Sequence, residues 1–152
     1  METPLSDYVV REAKAADTAA LRPLLMQLGY ALEEVEIASR IERLASAVDH
    51  ILLVAEATGG DLRAAMHVYG RPALEKPPEA VVQSLVVADG HCGSGLGRKM
   101  MALAERWSMK AGYESITLGS QVSRDGAHSF YEGLGYARYS TSHHFRKRLS
   151  ES

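Results

Sequence analysis

The feature that most constrains the fold is a strand, a glycine-rich loop and a helix in direct succession. Residues 81–87 are apolar except for Gln83 and Ser84, and such a run is typical of a largely buried strand. The segment 93–99 reads GSGLGRK, and apolar residues then recur at helical spacing over 95–111. A buried strand that leads through a glycine loop into a long amphipathic helix predicts an α/β fold with helices packed on a sheet.

The glycine loop predicts a site for a phosphate group. N–H groups in the first turn of a helix lack internal partners, the helix dipole adds positive charge there, and glycines let a ligand approach the backbone. Arg98 and Lys99 add cationic charge. The nucleotide P-loop motif needs Lys and then Ser or Thr after its last glycine, and it is excluded because Gly97 is followed by Arg98. The dinucleotide-binding fingerprint, read from Gly93, is excluded because Arg98 occupies the position of its third glycine. From this segment alone, a plain glycine-rich turn remains the alternative.

The remaining elements follow from periodicity and turn residues. A short strand is predicted at 8–11, and a helix from Asp17 to Gly29 is followed by a second amphipathic helix around 35–44. A hairpin is predicted from strands 51–55 and 62–69 with a turn at 58–61, and then a loop at 71–79. A strand at 116–118, a helix at 125–134 and one or two strands within 136–149 complete the chain.

Composition narrows the function classes. The 152 residues suit one domain, and we predict a single domain over 1–152. A net charge of -2 argues against a nucleic-acid partner. The single cysteine, Cys92, allows neither an intrachain disulfide nor zinc-site spacing, so no metal is expected. No apolar run approaches the roughly 18 residues of a membrane span, and the N-terminus lacks a signal-peptide pattern. We therefore expect a cytoplasmic protein with no membrane partner.

Two motifs together resemble the GNAT superfamily of N-acetyltransferases. Leu85-Val86-Val87, the segment 93–97 and Met100-Met101 look like that family's acetyl-CoA-binding motif. Residues 127–136, AHSFYEGLGY, resemble its late helix and following strand. The resemblance covers about residues 8 to 149. It implies a mixed, largely antiparallel central sheet of six to seven strands flanked by about four helices.

The resemblance also implies roles for particular residues. Acetyl-CoA would be bound by the following set: Leu85, Val86, Val87, Cys92, Gly93, Ser94, Gly95, Leu96, Gly97, Arg98, Lys99 and Ser129. In the family the central strand splays, which would free backbone groups at about Val86 and Val87 for the acetyl carbonyl and the pantetheine arm. Tyr131 matches the general-acid tyrosine, and a phenol with a pKa of about 10 holds its proton at neutral pH. Helical spacing alone would instead place Tyr131 in the core.

The general base is less defined. The carboxylate that the family often carries on its central strand is absent, since Gln83 and Ser84 occupy that stretch. His67 is the first candidate because it titrates in the useful range and lies on the preceding strand. Glu79 and His128 are weaker candidates, and a water chain could replace a side chain.

The leading hypothesis is an acetyl-CoA-dependent N-acetyltransferase that transfers an acetyl group directly to a primary amine of a small molecule, peptide or protein. The alternative is a non-catalytic acyl-CoA sensor of the same fold. The missing carboxylate favours it, as does Cys92, which stands where the family pattern prefers Arg or Gln. A different phosphate-binding domain is a third interpretation, but the lysine and metal-binding hydroxyl of nucleotide sites are absent. A homodimer formed through a sheet edge or tail exchange is also consistent with the late strands.

Overall fold

The computed structural model describes residues 2–5 and 7–150, with the side chains of 3–5 left aside. It divides into two compact units, residues 1–119 and residues 120–152. In the described part, no helix is both long and apolar enough to cross a membrane.

The first unit is built on one sheet whose six strands lie in chain order. The strands are β1 (Glu2–Leu5), β2 (Tyr8–Glu12), β3 (His50–Ala57), β4 (Leu62–Arg71), β5 (Glu79–Val87) and β6 (Ile116–Leu118). Neighbours from β1 to β5 pair antiparallel, and β5 pairs with β6 in parallel. The mixed, largely antiparallel sheet is therefore confirmed. β1 was not predicted, because its four residues carry no periodic signal and include a proline.

One face of this sheet packs against two helices, α1 (Thr18–Gln27) and α2 (Glu34–Ala45). Both helices turn most of the predicted apolar stripe inward, but Val35 of the α2 stripe is exposed. The core between helices and sheet consists of Leu21, Leu24, Ile37, Ile41, Val54, Leu62, Ala65 and Val86. Because side chains alternate along a strand, their neighbours on β3 and β4 face the other side of the sheet.

On that opposite side Leu53, Ala55, Ala64 and Met66 are fully buried. The third helix, α3 (Leu96–Lys110), contacts β4 and β5. Of the predicted stripe it buries Leu96, Met100, Leu103 and Ala104, whereas Trp107 is half-buried and Ala111 is exposed; Met101 is buried in addition. The strand and helix that flank the glycine loop are thus both anchored in the first unit.

A partly buried ion pair ties the start of the chain to α1. Arg11 donates to both carboxylate oxygens of Asp17 at 2.8 Å and, through Nε, to Glu56 at 2.8 Å. Asp17 also accepts the backbone N–H of Lys14 at 2.7 Å. The hydrogen bonds from Arg11 hold the pKa of Asp17 below its ordinary value, against the opposing effect of burial.

The second unit contains α4 (Asp125–Gly133) and an irregular C-terminal segment. The one or two strands predicted within 136–149 are wrong. Within their own unit, residues 137–150 form no strand. Their alternating pattern satisfies side-chain periodicity, but a strand also needs a neighbour for its backbone N–H and C=O groups. The strand predicted at 81–87 begins two residues earlier, at Glu79, and so shortens the predicted loop.

Candidate active site

The sheet opens between β5 and β6. β6 pairs with β5 only at Ala80, Val81 and Val82. Just beyond, the register of β5 against β4 shifts: His67 lies opposite Ser84, whereas Val68 lies opposite Val82. Gln83 is therefore the extra residue of a β-bulge, which bends and twists a strand. From there to the end of β5, the side of the strand that faces β6 has no strand partner among the described residues.

The backbone groups along this open side can be assigned by alternation. Ala88 donates its N–H to the Arg63 carbonyl at 2.8 Å, so Ala88 faces β4. In an antiparallel pair, consecutive residues point their N–H and C=O groups to opposite sides. Val86 therefore faces β4, opposite Ala65, while Leu85 and Val87 point to the open side. Of the three residues predicted on this strand, the geometry singles out Leu85 and Val87, and the side chain of Val86 lies in the core.

The glycine loop delivers the chain to the start of α3. Gly93 has a φ of 86°, and Gly95, the residue that begins the helix, has φ 85° and ψ 0°, a left-handed conformation that side chains disfavour. The first helical hydrogen bond runs from the Lys99 N–H to the Gly95 carbonyl at 3.1 Å. The N–H groups of Leu96, Gly97 and Arg98 precede that bond, and no side chain caps them.

The side chains around this helix start leave room for an anion. Ser94 turns its hydroxyl back onto the His91 carbonyl at 2.6 Å. Cys92 is exposed, with its Sγ 3.5 Å from the Val87 carbonyl oxygen. Arg98 is exposed and Lys99 half-buried, and neither forms an ion pair within residues 7–150. Open N–H groups and unpaired cations at one helix start fit a phosphate ligand.

His67 lies on β4 directly opposite the bulge. It is half-buried, and its Nε2 is 2.9 Å from Nδ1 of His50 on β3. The His50 ring stacks on His67 and on Tyr69, with centroid distances of 5.1 Å to each. Burial, followed by the charge of His50, lowers the pKa of His67 to about 4. His67 is thus neutral at physiological pH.

The weaker base candidates lie in other settings. Glu79 begins β5, four residues before the bulge. It pairs with Lys76 at 2.8 Å and Arg71 at 3.7 Å, and chiefly the bond from Lys76 holds its pKa below the ordinary value. His128 on α4 places Nε2 2.9 Å from the Gln121 carbonyl oxygen within the second unit. Both side chains are engaged in local contacts.

Tyr131 and Ser129 lie on α4 in the second unit. Tyr131 is half-buried, with its ring 5.0 Å from Phe130 and 6.0 Å from Tyr136, both edge-on. Burial raises the pKa of its phenol, and the positive charge of Arg124 opposes the shift. The hydroxyl therefore holds its proton well above neutral pH. Ser129 is exposed.

Two residues beside the site escaped prediction. His50 lies 17 positions before His67 and meets it only through the pairing of β3 with β4. Gln27, at the end of α1, hydrogen-bonds to the backbone of Val87 and Asp89. Neither residue belongs to a recognisable motif, since each reaches the site through tertiary pairing. A predicted β3–β4 hairpin register would have been the one available signal for His50.

A β-bulge, an open strand side and an uncapped helix start follow one another along β5 and into α3. The acetyltransferase (GNAT) family model matches residues 19–136, and the chain belongs to that family. The match extends across both structural units.

Individual relatives agree with this assignment. An uncharacterized acetyltransferase of Streptococcus pyogenes is 31% identical over 65 residues, which cover 43% of this chain and 42% of the relative. The aligned part thus spans less than half of the curated relatives. Aminoglycoside acetyltransferase AAC(6')-Iy, solved with a CoA bisubstrate analog, has a TM-score of 0.82 at 16% identity and covers 95% of this chain and all 100% of its own. Glucosamine-6-phosphate N-acetyltransferase of Arabidopsis thaliana has a TM-score of 0.78 at 22% identity, covering 91% and 97%. At these identities, the similarity shows that both structures have the same fold as this chain.

Proposed function

We propose that this protein is an acetyl-CoA-dependent N-acetyltransferase that acts on a primary amine. The observation that carries the proposal is the open side of β5, which begins at the Gln83 bulge and ends at the uncapped start of α3. A long ligand with amides at one end and phosphates at the other matches that succession of groups. The family match over residues 19–136 supports the acetyltransferase part of the proposal.

Each part of the site has a separate task. The N–H groups at the start of α3, with Arg98 and Lys99, would hold the pyrophosphate. Leu85 and Val87 would pair with the pantetheine arm and donate to the acetyl oxygen, where negative charge grows as the amine attacks. Acetyl-CoA supplies a thioester that transfers its acetyl group to the amine nitrogen and releases CoA thiolate. Tyr131 would donate its phenolic proton to that thiolate.

His67 is the proposed general base, and His50 is proposed to accept the proton from it and pass a proton to solvent. For His67 Nδ1 to accept a proton from the amine, its other nitrogen must carry hydrogen and donate to His50 Nδ1 across their 2.9 Å contact. On accepting the proton, His67 passes the Nε2 hydrogen to His50, which releases its own Nε2 hydrogen to solvent. The low pKa of His67 keeps the ring unprotonated at neutral pH and also makes it a weaker base than an ordinary imidazole, so onward transfer of the proton to His50 is a necessary part of the proposal.

A small-molecule amine is the acceptor class that the neighbours favour. One is named for aminoglycosides and another for glucosamine-6-phosphate, and both names denote amine-bearing small molecules. At their low identity these names guide the choice of test compounds only. We also propose a cytoplasmic location and a homodimer formed through a sheet edge or tail exchange.

The first experiment is the thermal midpoint measured with acetyl-CoA, ATP or NAD. A ligand that binds only the folded state raises the midpoint with the logarithm of its concentration over Kd. We expect a shift with acetyl-CoA alone, and turnover of an amine panel followed by thiol release. No shift at saturating acetyl-CoA would reject the proposal. A shift without turnover of any amine would favour the sensor.

A further inference from the structure

The side-chain amide of Gln27 lies on the open side of β5. Its Nε2 donates to the Val87 carbonyl at 2.7 Å, and its Oε1 accepts the Asp89 N–H at 2.9 Å. Gln27 is the last residue of α1 and is exposed. Core packing therefore does not account for its orientation, and the two bonds join it to backbone 60 and 62 residues away.

The two bonded groups form a matched set. In an extended strand, the carbonyl of one residue and the N–H two residues later point to the same side. They are the groups that a neighbouring strand would engage. The amide of Gln27 offers one donor and one acceptor, as a peptide unit does, and so takes the place of a single residue of a neighbouring strand. It does so where β5 leaves the sheet and enters the glycine loop.

We propose that Gln27 is a positioning residue for the acyl-CoA site: it fixes the strand end and the start of the phosphate loop before the ligand arrives. This inference rests on the proposed function. With the Val87 carbonyl held by Gln27, the Val87 N–H and the groups of Leu85 are left for the ligand. Gln27 thereby sets where the ligand-binding stretch of β5 ends.

The loop that follows needs such a constraint. Gly90, Gly93 and Gly95 all have positive φ, and glycine loses more conformational freedom on ordering than other residues. A loop that is ordered in advance binds its ligand more tightly, because the entropy loss does not fall on the binding step. Gln27 touches neither the acetyl group nor the amine in this arrangement. Its loss should therefore weaken binding of acetyl-CoA and leave the chemical step intact.

The test compares Gln27→Met with Met26→Gln. Methionine keeps the length of the side chain and removes the amide, whereas Met26, 52% exposed, places an amide on the same helix one position away. Kd for CoA is measured by calorimetry, and KM and kcat for acetyl-CoA by thiol release. Hydrogen exchange of the Asp89 amide is followed by NMR in the unliganded protein.

For Gln27→Met we expect KM and Kd to rise by roughly threefold to tenfold, as the loss of two modest hydrogen bonds predicts, with kcat unchanged. The Asp89 amide should exchange faster, and Met26→Gln should resemble the wild type. Equal or tighter CoA binding by Gln27→Met, with the wild type binding normally, would overturn this inference alone. Failure of the wild-type protein to bind CoA would overturn the proposed function as well.

Discussion

His50 and His67 lie on adjacent strands with Nδ1 of the first 2.9 Å from Nε2 of the second. Only one hydrogen fits between the two nitrogens, so the protonation of either ring constrains the other. His67 of this pair lies on β4 across from Ser84, next to the Gln83 bulge of β5.

The first prediction concerns the titration of His67. Burial and the charge of His50 both lower its pKa, so it should titrate near 4 in the wild type and higher in His50→Phe, which removes the second charge. Because the folded pKa lies below the unfolded value of 6.5, the unfolded state binds more protons between them, and stability falls as pH drops through that window. NMR titration of the imidazole signals measures the shift. An ordinary titration near 6.5 in the wild type would contradict it.

A second prediction isolates the general acid. Tyr131→Phe removes the donor hydroxyl and keeps the ring that packs on Phe130 and Tyr136. We expect kcat to fall by about a hundredfold or more, with CoA binding preserved, since general acid catalysis contributes factors of that order. Tyr30→Phe, at a tyrosine that is 58% exposed, is the matched control. Unchanged kcat in Tyr131→Phe would exclude this tyrosine as the acid.

The third prediction addresses the start of α3. Gly95→Ala forces a side chain into a left-handed conformation at φ 85°, which costs about 1–2 kcal/mol. The loop should relax and move the first-turn N–H groups, so KM for acetyl-CoA should rise while the thermal midpoint falls. Gly133→Ala, in α4 with open space around its Cβ, should leave KM unchanged. Equal KM values for Gly95→Ala and wild type would argue against backbone N–H groups as the phosphate site.

A fourth prediction uses the ion pair at the start of the chain. Arg11→Met leaves the partly buried carboxylate of Asp17 without its cation and should lower the free energy of unfolding by about 2–4 kcal/mol at neutral pH. The folded pKa of Asp17 lies below 3.8, so the pair stabilises above that pH and its contribution is lost as pH falls through the folded pKa. Denaturant unfolding of Arg11→Met and Asp17→Asn at pH 7 and pH 3 measures it. A gap between wild type and Arg11→Met that stays constant across this range would be inconsistent with the pair.

The fifth prediction tests a close approach at the other end of the sheet. A Cβ on Gly70 would clash with the hydroxyl oxygen and a ring carbon of Tyr113, so Gly70→Ala must displace the ring and its 2.9 Å bond to Asp49. We expect a loss of about 1–3 kcal/mol in unfolding free energy. Gly119→Ala, which meets no atom within 4 Å, is the control. Thermal midpoints that match for the two variants would refute the clash.

Periodicity predicted most of the fold because the helices and inner strands are amphipathic or fully apolar. α3 followed from its stripe, and β5 followed from its apolar run. Features that depend on pairing escaped. The extra residue at Gln83 exists only relative to His67 on β4, and a lone sequence carries no register. The strands predicted after Tyr136 failed for the opposite reason: the segment has the side-chain alternation of a strand, but it forms none within its own unit.

The candidate site divides in the same way. The glycine loop and Tyr131 were predicted from local motifs. That the backbone groups of Leu85 and Val87 face the open side, whereas those of Val86 face β4, follows only from the pairing of β5 with β4. Gln27 and His50 were missed because each enters through contacts between distant segments.

The opening beside β5 also bears on solubility. Unpaired strand backbone at the border of a sheet invites strands from other molecules to add on, and proteins usually cover or charge it. Here the unpaired stretch lies on an inner strand. It begins just after Val82, which is still paired with Leu118 of β6. A second polypeptide would have to separate β6 from Val82 before it could add as a full strand. The groups of β5 that Gln27 leaves unpaired can therefore accept a thin ligand, while the paired end of β6 hinders addition of a whole strand there.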